Sequence, residues 1–304
     1  GIHRFLNFFK VIILLKKLIK KNKNNQIVLF VRNDPIYLLA CSFIKQKKMK
    51  LIFQTSFPHE IVSGHFIKRI IAKLMYKIGG TKVDSLLAIS PKGLKRIQKI
   101  LPHIQKGNFI PLLSDVLIEV DNFQLRGQDE KIRFIYIGDH SQPRKLEVVM
   151  RAIVKAYKKG LKAKFSFIGG KVEDINRLLN VNGVKKLKEE GLLIFSPRIP
   201  RKTIWKKLLS ADVGLSLIPA DEHYKEASPT KLSEYMAAGL AIVASNGIDL
   251  QEEFLKKSGA GVLCKWNEEA ITDCLISIFE ERSRLNVMKK KSHKYARDNL
   301  NYKE

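Results

Sequence analysis

Two short stretches of this chain put cations at the start of a predicted helix, where the backbone already carries partial positive charge. The first is Gly138-Asp-His-Ser-Gln-Pro143-Arg144-Lys145, directly after the apolar run Phe134–Ile137. Gly138 permits a tight turn beside a ligand, and Pro143 suits the first helical position. Arg144 and Lys145 would then stand in the first turn. A cation there costs a few tenths to ~1 kcal/mol unless an anion offsets it. A bound phosphate reverses that sign. Two solvated cations on a basic protein are the plainer alternative.

The second stretch is Glu226-Ala-Ser228-Pro229-Thr230-Lys231-Leu-Ser-Glu234-Tyr-Met-Ala-Ala-Gly239. Ser228 can cap a helix with Pro229 at its first position, and Gly239 is a suitable stop. Lys231 again puts a cation in a first turn, with Glu234 three residues on and hence on the same face. A carboxylate placed so can accept two hydrogen bonds from a ribose diol, while the helix start and Lys231 take a diphosphate. Glu226, on the entering loop, is expected to be free for a second hydroxylated group. A capped helix with an ordinary Lys–Glu surface pair is the alternative.

Both junctions need a scaffold that sets strand ends beside helix starts. Residues 8–19 read as an amphipathic helix with a basic outer face. Gln26–Arg32 then reads as a short buried strand, Pro35–Lys47 as a helix, Leu51–Thr55 as a strand, Ile67–Ile78 as a helix and Ser85–Ser90 as a strand, with Pro91 opening another helix. Asn108–Pro111 ends this run, and residues 112–131 read as a linker. Strands at 133–137, 164–168, 192–195, 213–217, 241–244 and 261–264 follow, separated by helices at 143–158, 172–190, 201–209, 229–238, 250–257 and 268–281, with a last helix near 284–299. Continuous apolar strands alternating with helices predict α/β architecture: two Rossmann-like, doubly wound parallel sheets. The expected divisions are 1–126, 127–283 and a carboxyl-terminal helix in 284–304.

Composition narrows the partners. Lys and Arg number 56 and Asp and Glu 29, a net charge of +27. Residues 1–126 hold 23 basic and 6 acidic side chains, net +17, and the remainder 33 and 23, net +10. Such charge attracts nucleic acid, an anionic membrane surface or phosphorylated small molecules. Genome base composition, which enriches Lys, Ile and Asn together, is the competing cause. The basic residues are not interleaved with aromatics as a nucleic-acid groove requires, so no nucleic-acid partner is expected. Cys41, Cys264 and Cys274 show no C-x-x-C spacing, which argues against a zinc site or disulfide framework and fits a reducing cytoplasm.

Glu226-x7-Glu234, followed by Tyr-Met-Ala-Ala-Gly and the strand Ala241-Ile-Val-Ala-Ser245, resembles the donor-binding signature of the GT-B fold glycosyltransferases of family 4. Lys164–Gly170, Ser210–Pro219 and Gly259-Ala-Gly261 resemble the family's successive blocks in order. Val83–Ser90 resembles the strand that the family carries as AD-x-V-I-A-x-S. The resemblance implies a metal-independent, retaining transfer of sugar from a nucleotide-diphosphate donor to a glycan or lipid-linked acceptor. Cell-surface polysaccharide or glycolipid synthesis, in the cytoplasm or at the inner membrane face, is the implied setting. Residue by residue, it implies that Arg144 and Lys231 neutralise the diphosphate and Glu226 contacts the donor sugar, these three being catalytic. Glu234 would hold the ribose, with Gly138, Lys145, Ser228, Pro229 and Thr230 shaping the donor site. No cofactor or metal is implied; D-x-D, a common metal motif of GT-A enzymes, is absent.

The chain departs from the family in several places. Asp139 stands where many members carry Arg. Ser56 stands where many carry His, with His59 three residues later as the acceptor-side candidate. The amino-terminal strand and Gly-rich acceptor loop have no counterpart. With the Gly1 start and an early stop at Glu304, this leads to the expectation of an amino-terminally truncated fragment with a weaker first domain. A dinucleotide-dependent oxidoreductase fails for want of G-x-G-x-x-G between strand and helix. A non-enzymatic basic α/β protein binding nucleotide, anionic membrane or nucleic acid is the alternative reading.

Overall fold

The structure is a computed structural model that describes residues 2–22, 24–62, 64–116, 131–222 and 224–302. It divides into two compact units, Gly1–Pro111 with Glu226–Ser228 and Leu112–Lys225 with Pro229–Glu304. The expected boundary at 126/127, and most of the expected linker, lie outside the described residues. Leu112–Val116 pack with the second unit: Ser233 Oγ donates to the Leu112 carbonyl at 2.7 Å, and Ser114 N–H donates to the Leu300 carbonyl at 3.0 Å.

The first unit runs α1 (Ile2–Lys21), β1 (Val28–Arg32), α2 (Pro35–Ile44), β2 (Lys50–Thr55), α3 (His59–Val62), α4 (Phe66–Gly80), β3 (Ser85–Ala88), α5 (Pro91–Ile100) and β4 (Gly107–Phe109). Its parallel sheet has the order β1-β2-β3-β4. Helix starts follow capping chemistry. Asp34 accepts from the Ile36 and Tyr37 N–H groups ahead of Pro35, and Ser90 accepts from Gly93 N–H ahead of Pro91. The core gathers Leu38, Leu51, Phe53, Tyr76, Leu86 and Ile97, all buried. Each such apolar side chain contributes about 1.5–3 kcal/mol by leaving water.

Two expectations need correction here. β1 is not buried throughout: Leu29 and Val31 face the core while Val28 and Phe30 are exposed, because β1 is an edge strand covered on one side. The segment 107–109, expected only to end the run, is a fourth strand. Its sequence Gly-Asn-Phe has no apolar run to mark it, and pairing with β3 alone makes it a strand.

The second unit holds β5 (Ile132–Ile137), α6 (Leu146–Lys158), β6 (Ala163–Ile168), α7 (Val172–Leu179), α8 (Val184–Glu189), β7 (Leu193–Ser196), α9 (Arg201–Leu209), β8 (Val213–Ser216), α10 (Thr230–Ala237), β9 (Ala241–Ser245), α11 (Asp249–Ser258), β10 (Gly261–Cys264), α12 (Glu268–Glu280) and α13 (Leu285–Asn299). All six expected strands form one parallel sheet in the order β10-β9-β8-β5-β6-β7. Buried residues cover both of its faces, Phe134, Phe165 and Phe167 on one and Ile135, Tyr235 and Ile242 on the other. The expected helix at 172–190 is two helices, broken where Gly183 adopts φ +86°.

The strand order turns back between β5 and β8. In an open parallel sheet the crevice beyond the carboxyl ends of such strands is where ligands bind.

Candidate functional site

At that crevice, three features bring Lys231 over the end of β5. The helix α10 is tied to β5 by Tyr235, whose hydroxyl accepts the Ile137 N–H at 2.7 Å. That N–H is open to it because β8 pairs with β5 only at Phe134 and Ile135. Gly214 on β8 lets Tyr235 lie flat against the strand, since a Cβ there would come within 2.4 Å of the ring. Lys231, one turn before Tyr235, therefore projects to the same place. Its Nζ lies 3.9 Å from the centre of the Tyr136 ring.

The Lys231 amine is fully buried and has no hydrogen-bond partner among the described residues, although the residue as a whole is only half-buried. Burial, with the charge of Arg144 adding to it, holds its pKa well below that of an ordinary lysine. Gly138 ends β5 at φ +142°, a conformation few L side chains adopt, and a Cβ there would stand 3.7 Å from the Lys231 amine. Its neighbour across the sheet, Gly169 (φ +114°), would drive a Cβ to 2.6 Å from the Gly138 carbonyl oxygen. Backbone without side chains thus lines this end of the sheet. A cleft of about 670 Å³ opens there, lined by Gly138, Gly169, Gly170, Pro197, Ile199 and Ile204 among others.

Arg144 stands over the Tyr224 ring at 4.5 Å, and its Nε is buried with no hydrogen-bond partner among the described residues. The helix expected from Pro143 begins only at Leu146. Residues Gln142–Arg144 form a single 3₁₀ turn, and Lys145 takes a left-handed conformation (φ +49°) that breaks it from α6. Arg144 and Lys145 thus lie on the turn before the helix, not in its first turn. Lys145 is more than half exposed and faces Asp221 at 3.5 Å. Asp139 bonds the Ser141 N–H at 3.1 Å and the Ser141 hydroxyl. Burial raises its pKa, but those bonds and the charges of Arg144 and His140 outweigh it and hold the carboxyl below its ordinary value.

The helix α10 also starts one residue later than expected. Pro229 occupies the capping position and Thr230 is the first helical residue, so Ser228 is not the cap. Proline's fixed φ and missing N–H allow it there, and Ser228 is buried. Glu234 is half-buried on the face of Lys231, and its carboxylate makes no hydrogen bond among the described residues. Desolvation raises its pKa, offset in part by the charge of Arg201.

Glu226 falls in the first unit and is not free. Arg96 Nε donates to its carboxylate at 2.7 Å, and the same guanidinium pairs with Glu60 and reaches Thr55 Oγ1 at 3.1 Å. Ser90 Oγ donates to the Glu226 carbonyl at 2.8 Å. Only the fold shows that Arg96 is in reach of Glu226. His59 opens α3 beyond the ends of β1 and β2, with its Nε2 3.4 Å from Asn33 Nδ2 and its ring against Phe57.

Of the expected donor residues, the structure gathers Gly138, Arg144 and Lys231 at the end of β5. Lys145 sits on the same turn, and Thr230 and Glu234 share α10 with Lys231. Sequence reasoning missed Tyr136 and Tyr224, which carry the two cations, and His140. Tyr136 was recoverable as the penultimate residue of a strand that precedes a glycine turn, and the pair Gly169-Gly170 likewise marked the cleft. His140 is completely buried among Tyr136, Phe167 and Phe195, with neither ring nitrogen hydrogen-bonded among the described residues, and desolvation depresses its pKa to about 4. Among the described residues no cluster of His, Cys, Asp or Glu has the makings of a metal site.

The sequence model of the family described as glycosyl transferases group 1 matches residues 118–295. No curated protein sequence matches the chain. Among solved structures, sucrose-phosphate synthase from Thermosynechococcus elongatus superposes with a TM-score of 0.74 at 14% identity, covering 98% of this chain and 75% of that one. Anabaena HepE in complex with UDP gives 0.69 at 13% identity, over 95% and 78%. A mutant of S. aureus TarM in complex with Fondaparinux, alpha-GlcNAc-glycerol and UDP gives 0.69 at 15% identity, over 95% of this chain and 55% of that one, so the chain spans about half the length of TarM. At these identities the likeness is one of fold, and the fold is GT-B.

Proposed function

The chain belongs to the glycosyl transferases group 1 family, and we propose that, as a member, it moves a sugar from a nucleotide-diphosphate donor to a glycan or lipid-linked acceptor, with retention and without a metal. One observation carries the reading: the buried, unpartnered Lys231 amine above Tyr136, beside the side-chain-free backbone of Gly138. A desolvated cation with no hydrogen-bonded counter-ion is costly, Asp139 compensating it only at a distance, and a diphosphate supplies the missing partner. Arg144 adds a second fixed cation for the charge that builds on the leaving diphosphate, a role a metal ion would otherwise fill. The cleft beside Gly169 and Gly170 has the apolar walls that suit a nucleoside base, and Glu234 the free carboxylate that suits a ribose diol. HepE and TarM were solved with UDP, which supports a nucleotide donor here. Cell-surface polysaccharide or glycolipid synthesis, at the cytoplasmic side of a membrane, is the setting we assign.

A panel of nucleotide-sugars, each assayed for release of its nucleoside diphosphate in the presence of chelator, tests this reading. Release from one donor is expected, with a matching rise in melting temperature. Stabilisation by oligonucleotides and by no nucleotide-sugar would favour a non-enzymatic binder instead.

A further inference from the structure

The sequence reads residues 67–78 as a helix, and most of the apolar side chains of α4 point away from the core. Its buried residues are Ala72, Tyr76, Gly79 and Gly80, a narrow stripe in which Gly79 lets the α2 backbone approach closely enough that a Cβ would lie 3.0 Å from Leu39 N. Phe66, Ile67, Ile70, Ile71, Leu74 and Ile78 are all exposed, Phe66 at 75% and Ile67 at 68%. At 100° per residue these six fall within one arc of about 140°, centred opposite the buried stripe. Lys73 borders that arc on one side and Lys68 lies beyond the other, while Lys77 falls inside it near the Phe66 edge, all three exposed. No acidic residue occurs between Glu60 and Asp84.

We propose that α4 docks on an anionic lipid bilayer, its apolar arc set among the acyl chains and its bordering lysines on the headgroups. A contiguous apolar face outward, flanked by cations, is the form of a helix that lies in a membrane interface. Among the described residues no helix is long and apolar enough to cross a membrane, so the helix would lie on the bilayer without spanning it. Charge selects the occupant. A second copy would bring the same lysines face to face, on a chain of net charge +27, whereas anionic lipid neutralises them. The proposal deepens the acceptor side of the assigned function and rests on that reading only for what is done at the membrane. Binding is read without nucleotide, so its failure and a failure of donor binding are separate results.

The full chain is sedimented with phosphatidylcholine vesicles with and without phosphatidylglycerol, at low and high salt. Binding to the anionic vesicles is expected, weakened by salt. The double variant Ile70→Ser with Leu74→Ser should weaken it roughly tenfold or more even at low salt. Lys73→Glu with Lys77→Glu should abolish the preference for phosphatidylglycerol. As a check that does not depend on those variants folding, Phe66→Trp should be quenched by acyl-brominated lipid. No binding to anionic vesicles, full binding by both double variants, or an unquenched Trp at position 66 would overturn the proposal. So would a dimer of the wild-type chain that the Ile70/Leu74 variant turns into a monomer, which would give the face to a second copy.

Discussion

The Lys231 amine holds two opposing effects in one atom. Without ligand it is a desolvated cation lacking a hydrogen-bond partner, and with a diphosphate it becomes half of a buried ion pair. Lys231→Met should therefore raise the stability of the ligand-free chain, by about 1–3 kcal/mol, measured as a higher melting temperature. A lower melting temperature would mean that the amine has a partner. The pH dependence follows from the sign of the shift. The folded chain gives up this proton at a lower pH than the unfolded chain does, so Lys231 adds stability as pH rises from its depressed folded pKa toward the ~10.4 of an unfolded lysine. Affinity for a diphosphate, which needs the charged amine, should fall over the same window. Glu234→Ala should weaken nucleoside diphosphate binding tenfold to a hundredfold, the loss of hydrogen bonds worth ~1.5–3 kcal/mol, with melting unchanged. Unchanged affinity by calorimetry would remove Glu234 from the site. Lys231 and Glu234 were legible because helical spacing alone puts them on one face. The Arg96–Glu226 pair was not, since the two residues stand far apart in sequence and only the fold joins them.

At the scale of elements, the junction between β5 and α10 depends on buried polar groups that no local pattern announces. Tyr235→Phe would leave the Ile137 N–H without its acceptor in a dry position and should cost about 1–3 kcal/mol, read by chemical denaturation. A neutral outcome would show that water reaches the strand end. His140 gives the second unit an acid weakness. Its folded pKa of about 4 lies below the unfolded value, so the stability it supports is complete above ~6.5 and is lost as pH falls toward 4, by about 3 kcal/mol. His140→Leu should flatten the fall in melting temperature across that interval; an identical pH profile in the variant would exclude His140 as the cause. The six strands of the second unit were readable because both faces are covered and each strand is a continuous apolar run. β4 lacked such a run. The turn at 142–145 was misplaced because Pro143 suits a helix start, whereas Lys145 takes the left-handed conformation that breaks the turn from α6. The helix α4 was legible, but which way its apolar face points was not, since periodicity finds such a face without saying whether the core or another surface covers it.

Across the whole molecule, the first unit carries the more basic segment and the outward apolar face of α4, while the second carries the desolvated cations at the turning point of its sheet. This division fits a chain that binds its donor in one unit and meets an anionic surface with the other. The net charge was legible as a number, but not the difference between a solvated lysine and the buried one at position 231, which is set by Tyr136 and Tyr235 from the sheet and helix around it. The central claim is that this buried amine is a diphosphate site, and calorimetric titration of nucleoside diphosphates into the wild-type chain and Lys231→Met, both in chelator, tests it most directly. The account predicts saturable binding of at least one nucleoside diphosphate to the wild-type chain and loss of that binding in the folded variant. Equal affinity in the two proteins would contradict it.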